Sequence, residues 1–269
     1  MLQNGKRHGE GTYTHHRSVY VGNFFLDQMD GSGRMSFHEH PKWIEYEGEW
    51  SQNEMHGDGW LKLKDGSEFR GKFSNGKFHR GRLVYSNGNS YDGTFDGHER
   101  PHGSGMFVDK SSEDVYTGHW VHGQKHGQGK MVYGPNSTSF QSYEGQWHED
   151  KKHGNGQNIL TFKNGDVYKG GFSFDKYSGK GSFLSDKSFY EGTWKNGQRH
   201  GDSCKEYDHE NLTEYVGPFS NDRKNGRGKL TYQNGNTLTC WFDDDQKNGT
   251  GHYTDSDGTT TTCRYQEDK

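Results

Sequence analysis

The chain contains no alanine at all. Leucine occurs 10 times, valine 9 and isoleucine 2, against 41 glycines. Ala and Leu are the best helix formers and Gly nearly the worst. No window carries an apolar stripe at i, i+3, i+4 and i+7. Almost no helix is expected. Long apolar runs are missing too, so no segment reads as a helix able to span a bilayer. No apolar h-region lies near the start, so no secretory signal is read. The glycosylation-type triplets at Asn136, Asn211 and Asn248 therefore carry no weight. Cysteine is limited to Cys204, Cys240 and Cys263, with no CxxC pair. That fits a reducing compartment.

A strong excess of positive or negative charge is missing as well. Thirty-three Lys and Arg face 37 Asp and Glu, for a net −4. A nucleic-acid binder is expected to show a basic footprint, so nucleic acid is not expected as a partner. Leu, Ile, Val and Phe together make up about 14 % of the chain, below the roughly 20 % under which disorder becomes common. Disorder usually needs high net charge as well, and aromatics reach 14 %. The apolar area of this chain therefore sits in Tyr, Phe and Trp.

What is present is periodic. A phrase Tyr-x-Gly-x-Trp/Phe alternates with His/Asn-Gly-x-Gly about ten residues later. Tyr46-Glu47-Gly48-Glu49-Trp50 followed by His56-Gly57-Asp58-Gly59 is the clearest copy. About ten repeats start near 20, 46, 69, 91, 116, 143, 168, 190, 215 and 238, with half repeats at 1–19 and 261–269. A fixed period on this scale marks an array rather than a globule around one core, here one continuous array over 1–269.

Period two places Tyr, Gly and the aromatic slot on one strand face, with residues such as Glu47 and Glu49 on the other. The dipeptides Asp65-Gly66, Asn87-Gly88, Asn164-Gly165 and Asn234-Gly235 fit hairpin turns that need φ > 0. Each repeat reads as a β-hairpin, and successive hairpins as a meander of about 20 strands. A glycine beside an aromatic leaves a seat for the ring of a neighbouring strand. One repeat buries two or three rings at roughly 1.5–3 kcal/mol each. Ordering its residues costs about 1–2 kcal/mol apiece, so a repeat needs its neighbours to fold.

The Tyr-to-His spacing is 10 residues except in the fourth repeat, where Tyr91 to His102 spans 11. The spacing from His to the next Tyr varies. One edge of the sheet is thus nearly constant, and insertions go to the other, the longest at 38–45 and 134–142. Surface loops tolerate such changes; the functional reading is that these loops distinguish this array for its partner.

These phrases resemble the MORN repeat (membrane occupation and recognition nexus), with close matches at 46–59, 116–129, 143–156 and 190–201. The third repeat departs at His79-Arg80-Gly81, the eighth at Gly201-Asp202-Ser203, and the last two carry Cys240 and Cys263 in the glycine slot. The resemblance implies an all-β fold: an elongated, twisted, single-layer antiparallel meander with a groove and little or no helix. The family includes ciliary radial-spoke head proteins, junctophilins, basal-complex scaffolds of protists and plant phosphoinositide kinases that carry the repeats beside a catalytic domain. It implies a scaffold or adaptor here, not an enzyme.

Catalytic and metal chemistry find little support. Seven histidines (His8, His56, His79, His102, His126, His153 and His200) share one loop slot. Equivalent slots in adjacent hairpins lie about 9–10 Å apart, too far to share a zinc ion. No metal and no cofactor are expected. The same separation argues against a Cys240–Cys263 disulfide. No phosphate-loop motif and no nucleophile signature occur.

Two binding surfaces are expected. A one-layer sheet leaves an aromatic groove that a helix or extended segment of another protein fits. Its anchors are Trp50, Trp120, Trp147 and Trp194 with Tyr46, Tyr116, Tyr143 and Tyr190, unless stacking within the sheet occupies these rings. The alternative is an anionic-phospholipid or membrane-contact edge made by Lys125, Lys151, Lys152, Arg199, Arg223 and Lys224, where each cation contributes about 1 kcal/mol. Acidic residues such as Asp150, Asp175 and Asp222 interrupt that row. Both ends stop at half a repeat without a polar cap, and open strand edges recruit other strands. The expectation there is end-to-end pairing, a homo-oligomer, or a longer product of which this is a part. The expected setting is cytoplasmic and cytoskeletal, with the ciliary or flagellar axoneme favoured by the resemblance.

Overall fold

The computed structural model describes residues 2–265, and all regular structure among them is β. The strands are antiparallel and follow one another in chain order as hairpins. Two compact units divide the chain, 1–136 and 137–269. The final half repeat lies partly outside the described residues.

In the first unit a column of glycines crosses every main strand. Gly11 pairs with Gly22, Gly22 with Gly33, Gly33 with Gly48, and Gly48 with Gly59. The column continues through Gly71, Gly81, Gly93, Gly105 and Gly118 to Gly129. A tyrosine ring lies over most of these pairs, and Phe69 over Gly71 and Gly81; the ring comes from the same strand, not only from a neighbour as the sequence suggests. A Cβ on Gly48 would stand 2.5 Å from Tyr46 Oη and 2.5 Å from Gly59 Cα. Only glycine leaves room for the ring to lie flat on the backbone.

The register slips by a bulge just after the glycine, between Gly22 and Phe24, Gly48 and Glu49, and Gly118 and His119. A bulge interrupts the ladder, and the tyrosine hydroxyl supplies a donor there. Tyr20 donates to the Asn23 carbonyl at 2.9 Å, Tyr46 to Glu49 at 2.7 Å and Tyr116 to His119 at 3.0 Å.

The second unit keeps this plan with substitutions in the column. Gly170, Gly181 and Gly192 pair in turn. Asn158 faces Gly170, Cys204 faces Gly217, Cys240 faces Gly228 and Cys263 faces Gly251. Asn158 is 2 % exposed. It is satisfied by the Gln146 N–H and by the carbonyls of Gly154 and Gly170. All three cysteines are free thiols.

The two edges turn differently. At Asp65-Gly66 and its three relatives only the glycine has positive φ, and Gly66 N–H closes onto the Leu63 carbonyl. At the other edge both residues of a two-residue turn are left-handed, including Leu26-Asp27, Gln52-Asn53, Phe174-Asp175 and Asn221-Asp222. The twist of such turns matches that of the strands. Each also clamps the preceding repeat. Asp222 N–H donates to the Arg199 carbonyl at 3.1 Å, and Asp222 Oδ1 accepts Arg199 N–H at 2.8 Å. Asp27 with Arg7, Asp175 with Lys152 and Asp245 with Lys224 repeat this pair of bonds.

Candidate functional site

The eight expected groove residues form two ring stacks, one within each unit. Tyr46 meets Trp50 edge-on at 5.1 Å and Phe73 at 5.0 Å; Tyr91 and Tyr116 flank Trp120 at 5.4 and 5.1 Å. In the second unit Tyr143 meets Trp147 at 5.0 Å, and Tyr168 and Tyr190 flank Trp194 at 5.4 and 5.1 Å. Edge-to-face contacts at this spacing suit the ring quadrupoles. The indole N–H groups of Trp50, Trp120 and Trp194 donate to the carbonyls of Gly33, Gly105 and Gly181. All eight are buried; the most exposed is Trp194 at 7 %. Burial pushes the Tyr46 and Tyr190 phenols strongly upward.

The six basic residues sit mostly within the clamps. Lys152 Nζ lies 3.3 Å from Asp175 and over the rings of Phe140 and Tyr143. Arg199 joins Asp222 and Glu206 beneath the rings of Tyr190 and Phe219. Lys224 meets Glu206 at 2.7 Å and Arg223 meets Asp244 at 2.8 Å. Lys151 lies over Phe174, and Lys125 over Tyr116.

A concave site with a largely apolar lining lies in the first unit. A cavity of about 620 Å³ is walled by Met29, Met35, Phe37, Trp43, Trp50 and Met55. Trp50 is the expected anchor that reaches it. Period two puts Met29 and Met35 on the inner face of the strand Gln28–Ser36, and Met55, second in the strand Glu54–Leu63, pairs with Trp50. The outer wall comes from the insertion at 38–45. There His40 Nδ1 accepts the N–H groups of Lys42 and Trp43 at 3.2 and 3.0 Å, and its ring stacks on Trp43 at 4.0 Å. Burial, then Lys64 and Lys42, hold the His40 pKa below its ordinary value. The loop is thereby fixed over the cavity.

The rim carries Lys42, Lys77, Glu54, Asn53 and the fourth-repeat loop residues His98 and Glu99. Burial raises the Glu99 carboxyl above the usual range. Trp43 Nε1 is buried and has no hydrogen-bond partner among the described residues. A buried unsatisfied donor costs about 1–3 kcal/mol, which an incoming acceptor would recover. Methionine walls adapt to varied apolar shapes. The arrangement suits binding an apolar side chain beside a carbonyl. Sequence periodicity alone did not single out Met29, Met35, Phe37, Trp43 and Met55; the length of the 38–45 insertion was their one trace.

The MORN repeat matches at residues 2–15, 20–39, 46–68, 69–90, 116–138, 143–167, 168–187, 190–201, 215–237 and 242–260. The fourth repeat, from 91, lies between two matched segments. Alsin of Rattus norvegicus is 31 % identical over 126 residues, which cover 45 % of this chain and 8 % of alsin. The chain thus spans a small fraction of that relative's length. Among solved structures, the SAS-4 (dCPAP) TCP domain of Drosophila melanogaster, in complex with a proline rich motif of Ana2 (dSTIL), aligns with a TM-score of 0.31. Its identity is 12 %, over 77 % of this chain and 88 % of that one. Catalytically inactive virginiamycin B lyase from Staphylococcus aureus with quinupristin aligns at a TM-score of 0.14, with 9 % identity over 97 % and 96 % of the two chains. Superpositions this weak carry no functional argument. With repeat matches distributed over most of its length, the chain belongs to the MORN repeat family.

Proposed function

We propose that this chain is a non-catalytic scaffold that holds a segment of another protein against the aromatic side of its sheet. The observation that carries this is the cavity beneath Trp43, with methionine walls and an unpartnered indole N–H. The segment would be helical or extended. It would insert one apolar side chain between Met35 and Trp50 and offer a main-chain carbonyl to Trp43. The buried stacks of Tyr46, Trp50, Tyr116, Trp120, Tyr143, Trp147, Tyr190 and Trp194 would then stiffen the sheet from beneath more than they touch the partner. A cytoskeletal assembly is the setting we favour, the ciliary or flagellar axoneme first, and this rests on the family resemblance.

The test is site-specific photocrosslinking in cells from position 35, with Ser32 on the opposite face as the control position. A captured segment is then synthesised and its affinity measured. Trp43→Phe, which keeps an aromatic ring but exchanges the indole and its N–H for a smaller phenyl, is expected to weaken it about tenfold, and Met35→Glu to abolish binding. Equal capture from position 32, or unchanged affinity in Met35→Glu, would overturn the reading. The lipid-edge alternative has the cations of Lys152, Arg199 and Lys224 already paired within the chain. Salt-sensitive co-sedimentation with anionic vesicles, lost on charge reversal at Lys151 and Arg223, would favour it instead.

A further inference from the structure

The fourth repeat, with its extra residue, builds a cluster that no other repeat reproduces among the described residues. One carboxylate oxygen of Asp96 and one imidazole nitrogen from each of His102 and His122 lie within 4.8 Å of one another. We propose that Asp96, His102 and His122 form a binding site for a divalent transition-metal ion of the zinc class, in which Arg100 is the resident cation when the metal is absent.

Equivalent positions of the histidine slot lie two strands apart, too far to share an ion. His102 and His122 are not equivalent. His102 occupies the loop slot of the fourth repeat, while His122 is the first residue of the next two-residue turn, at φ +50°. That turn is clamped backward, with Gly123 N–H donating to the Pro101 carbonyl at 2.8 Å. The clamp brings the His122 ring to 5.4 Å from the His102 ring. Asp96 follows the aromatic slot; Asp243 holds the same position in the tenth repeat, but Asp96 is the one that meets two histidines among the described residues.

The carboxylate is already oriented. Asp96 Oδ1 accepts the N–H groups of His98 at 2.8 Å and Arg100 at 3.1 Å. Its Oδ2 faces Arg100 Nε at 3.0 Å and Nη2 at 2.8 Å, and lies 2.9 Å from His122 Nδ1. Arg100 Nη2 is itself 2.9 Å from that same Nδ1. Two atoms able to accept thus converge on one cation, which is the electrostatic preference of a metal site. His102 adds a buried Nδ1 with no hydrogen-bond partner among the described residues. Tetrahedral zinc bonds of about 2.0–2.1 Å place its ligands roughly 3.3 Å apart. The pair Asp96–His122, at 2.9 Å, is slightly tighter than that spacing, and the His102 nitrogen, within 4.8 Å of both, would turn inward to complete it. The Arg100 side chain is 45 % exposed, so it can swing into water as the ion enters. Three protein ligands leave the fourth position to water or to a partner's side chain.

The test is equilibrium dialysis of the full chain against zinc chloride with a competing chromophoric chelator, repeated with cobalt(II) for its visible bands. One ion per chain and four-coordinate cobalt bands are expected. Asp96→Asn, which keeps the backbone hydrogen bonds, and His122→Asn, which suits the left-handed turn, should each weaken binding at least tenfold and remove the bands. Arg100→Gln should tighten it. His56→Asn, in the same slot as His102 but outside the cluster, should change nothing. Zinc affinity unaltered by both Asp96→Asn and His122→Asn would overturn the site, as would absence of a stoichiometric ion in Arg100→Gln.

Discussion

The hydroxyl of Tyr46 lies 2.7 Å from the carbonyl of Glu49, three residues further along its own strand. The same bond recurs from Tyr91 to Thr94, Tyr143 to Gln146, Tyr168 to Gly171, Tyr190 to Thr193 and Tyr215 to Pro218. It ties the ring to the bulge that follows the glycine. Tyr46→Phe should therefore destabilise the first unit by about 1 kcal/mol, because a part-buried hydrogen bond is lost while the ring is kept. The third repeat already carries Phe69 in this slot, and that ring stacks face to face on Phe78 at 4.1 Å instead. Chemical denaturation of Tyr46→Phe against the parent checks the value. An unchanged midpoint would mean the hydroxyl only follows the ring.

Two glycines with opposite surroundings separate packing from chain flexibility. A Cβ on Gly48 would fall 2.6 Å from the Asp58 carbonyl and 2.5 Å from both Tyr46 Oη and Gly59 Cα. Backbone cannot give way there, so Gly48→Ala is expected to cost about 3 kcal/mol or more, at or beyond the top of the overpacking range. Gly97 meets nothing within 4 Å and does not need a left-handed φ. Gly97→Ala should be neutral or stabilise by up to about 1 kcal/mol through the unfolded chain. Melting curves of the two variants are expected to move apart by several degrees.

The slots named by the sequence proved to be the load of the structure, and their partners were what it concealed. Tyr46, Gly48 and Trp50 share a face because side chains alternate along a strand, and that much is read directly from period two. Which ring covers which glycine depends on the bulge after Gly48, and a bulge changes no residue type. Cys204 could not be placed in the glycine column for the same reason: its register opposite Gly217 follows a slip between Gly201 and Cys204. The cavity depends on how the 38–45 insertion folds back, with His40 capping Trp43. That is tertiary information. The cations of Lys152 and Arg199 were visible as a row, but the turn geometry that pairs them with Asp175 and Asp222 was not.

Leu26 is a β-turn residue held at φ +47° and is 44 % exposed, with Asp27 at φ +73° after it. Left-handed backbone costs an ordinary L-residue about 1–2 kcal/mol, and Asn bears it best after Gly. Leu26→Asn is expected to stabilise the chain by about 0.5–1 kcal/mol. It leaves untouched the clamp, in which Asp27 Oδ1 accepts the Arg7 N–H at 2.8 Å. Asp27→Ala at the next position should do the opposite, since it removes the acceptor. Thermal melts that rank Leu26→Asn above the parent and Asp27→Ala below it would support this division of roles; the reverse order would show that the Leu26 side chain packs usefully.

High pH should unfold the chain through its tyrosines. Burial raises the phenols of Tyr20 and Tyr91 to about 12, from an ordinary value near 10. The unfolded chain therefore gives up these protons first, and between pH 10 and 12 the folded state binds more of them. Stability is fully present below pH 10 and falls as pH rises through that window. Acid acts on other groups. Asp109 is held down to about 2, first by the Ser111 hydroxyl and then by the N–H groups of Ser112 and Ser111. Its contribution is present above about pH 4 and is lost as pH falls toward 2. The alkaline limb rests on the column common to the repeats, so it should be the more cooperative. Phenolate absorbance near 295 nm should rise in one step above pH 10, together with loss of the β circular dichroism signal. A gradual titration centred at pH 10 with the dichroism intact would show that the rings are open to water.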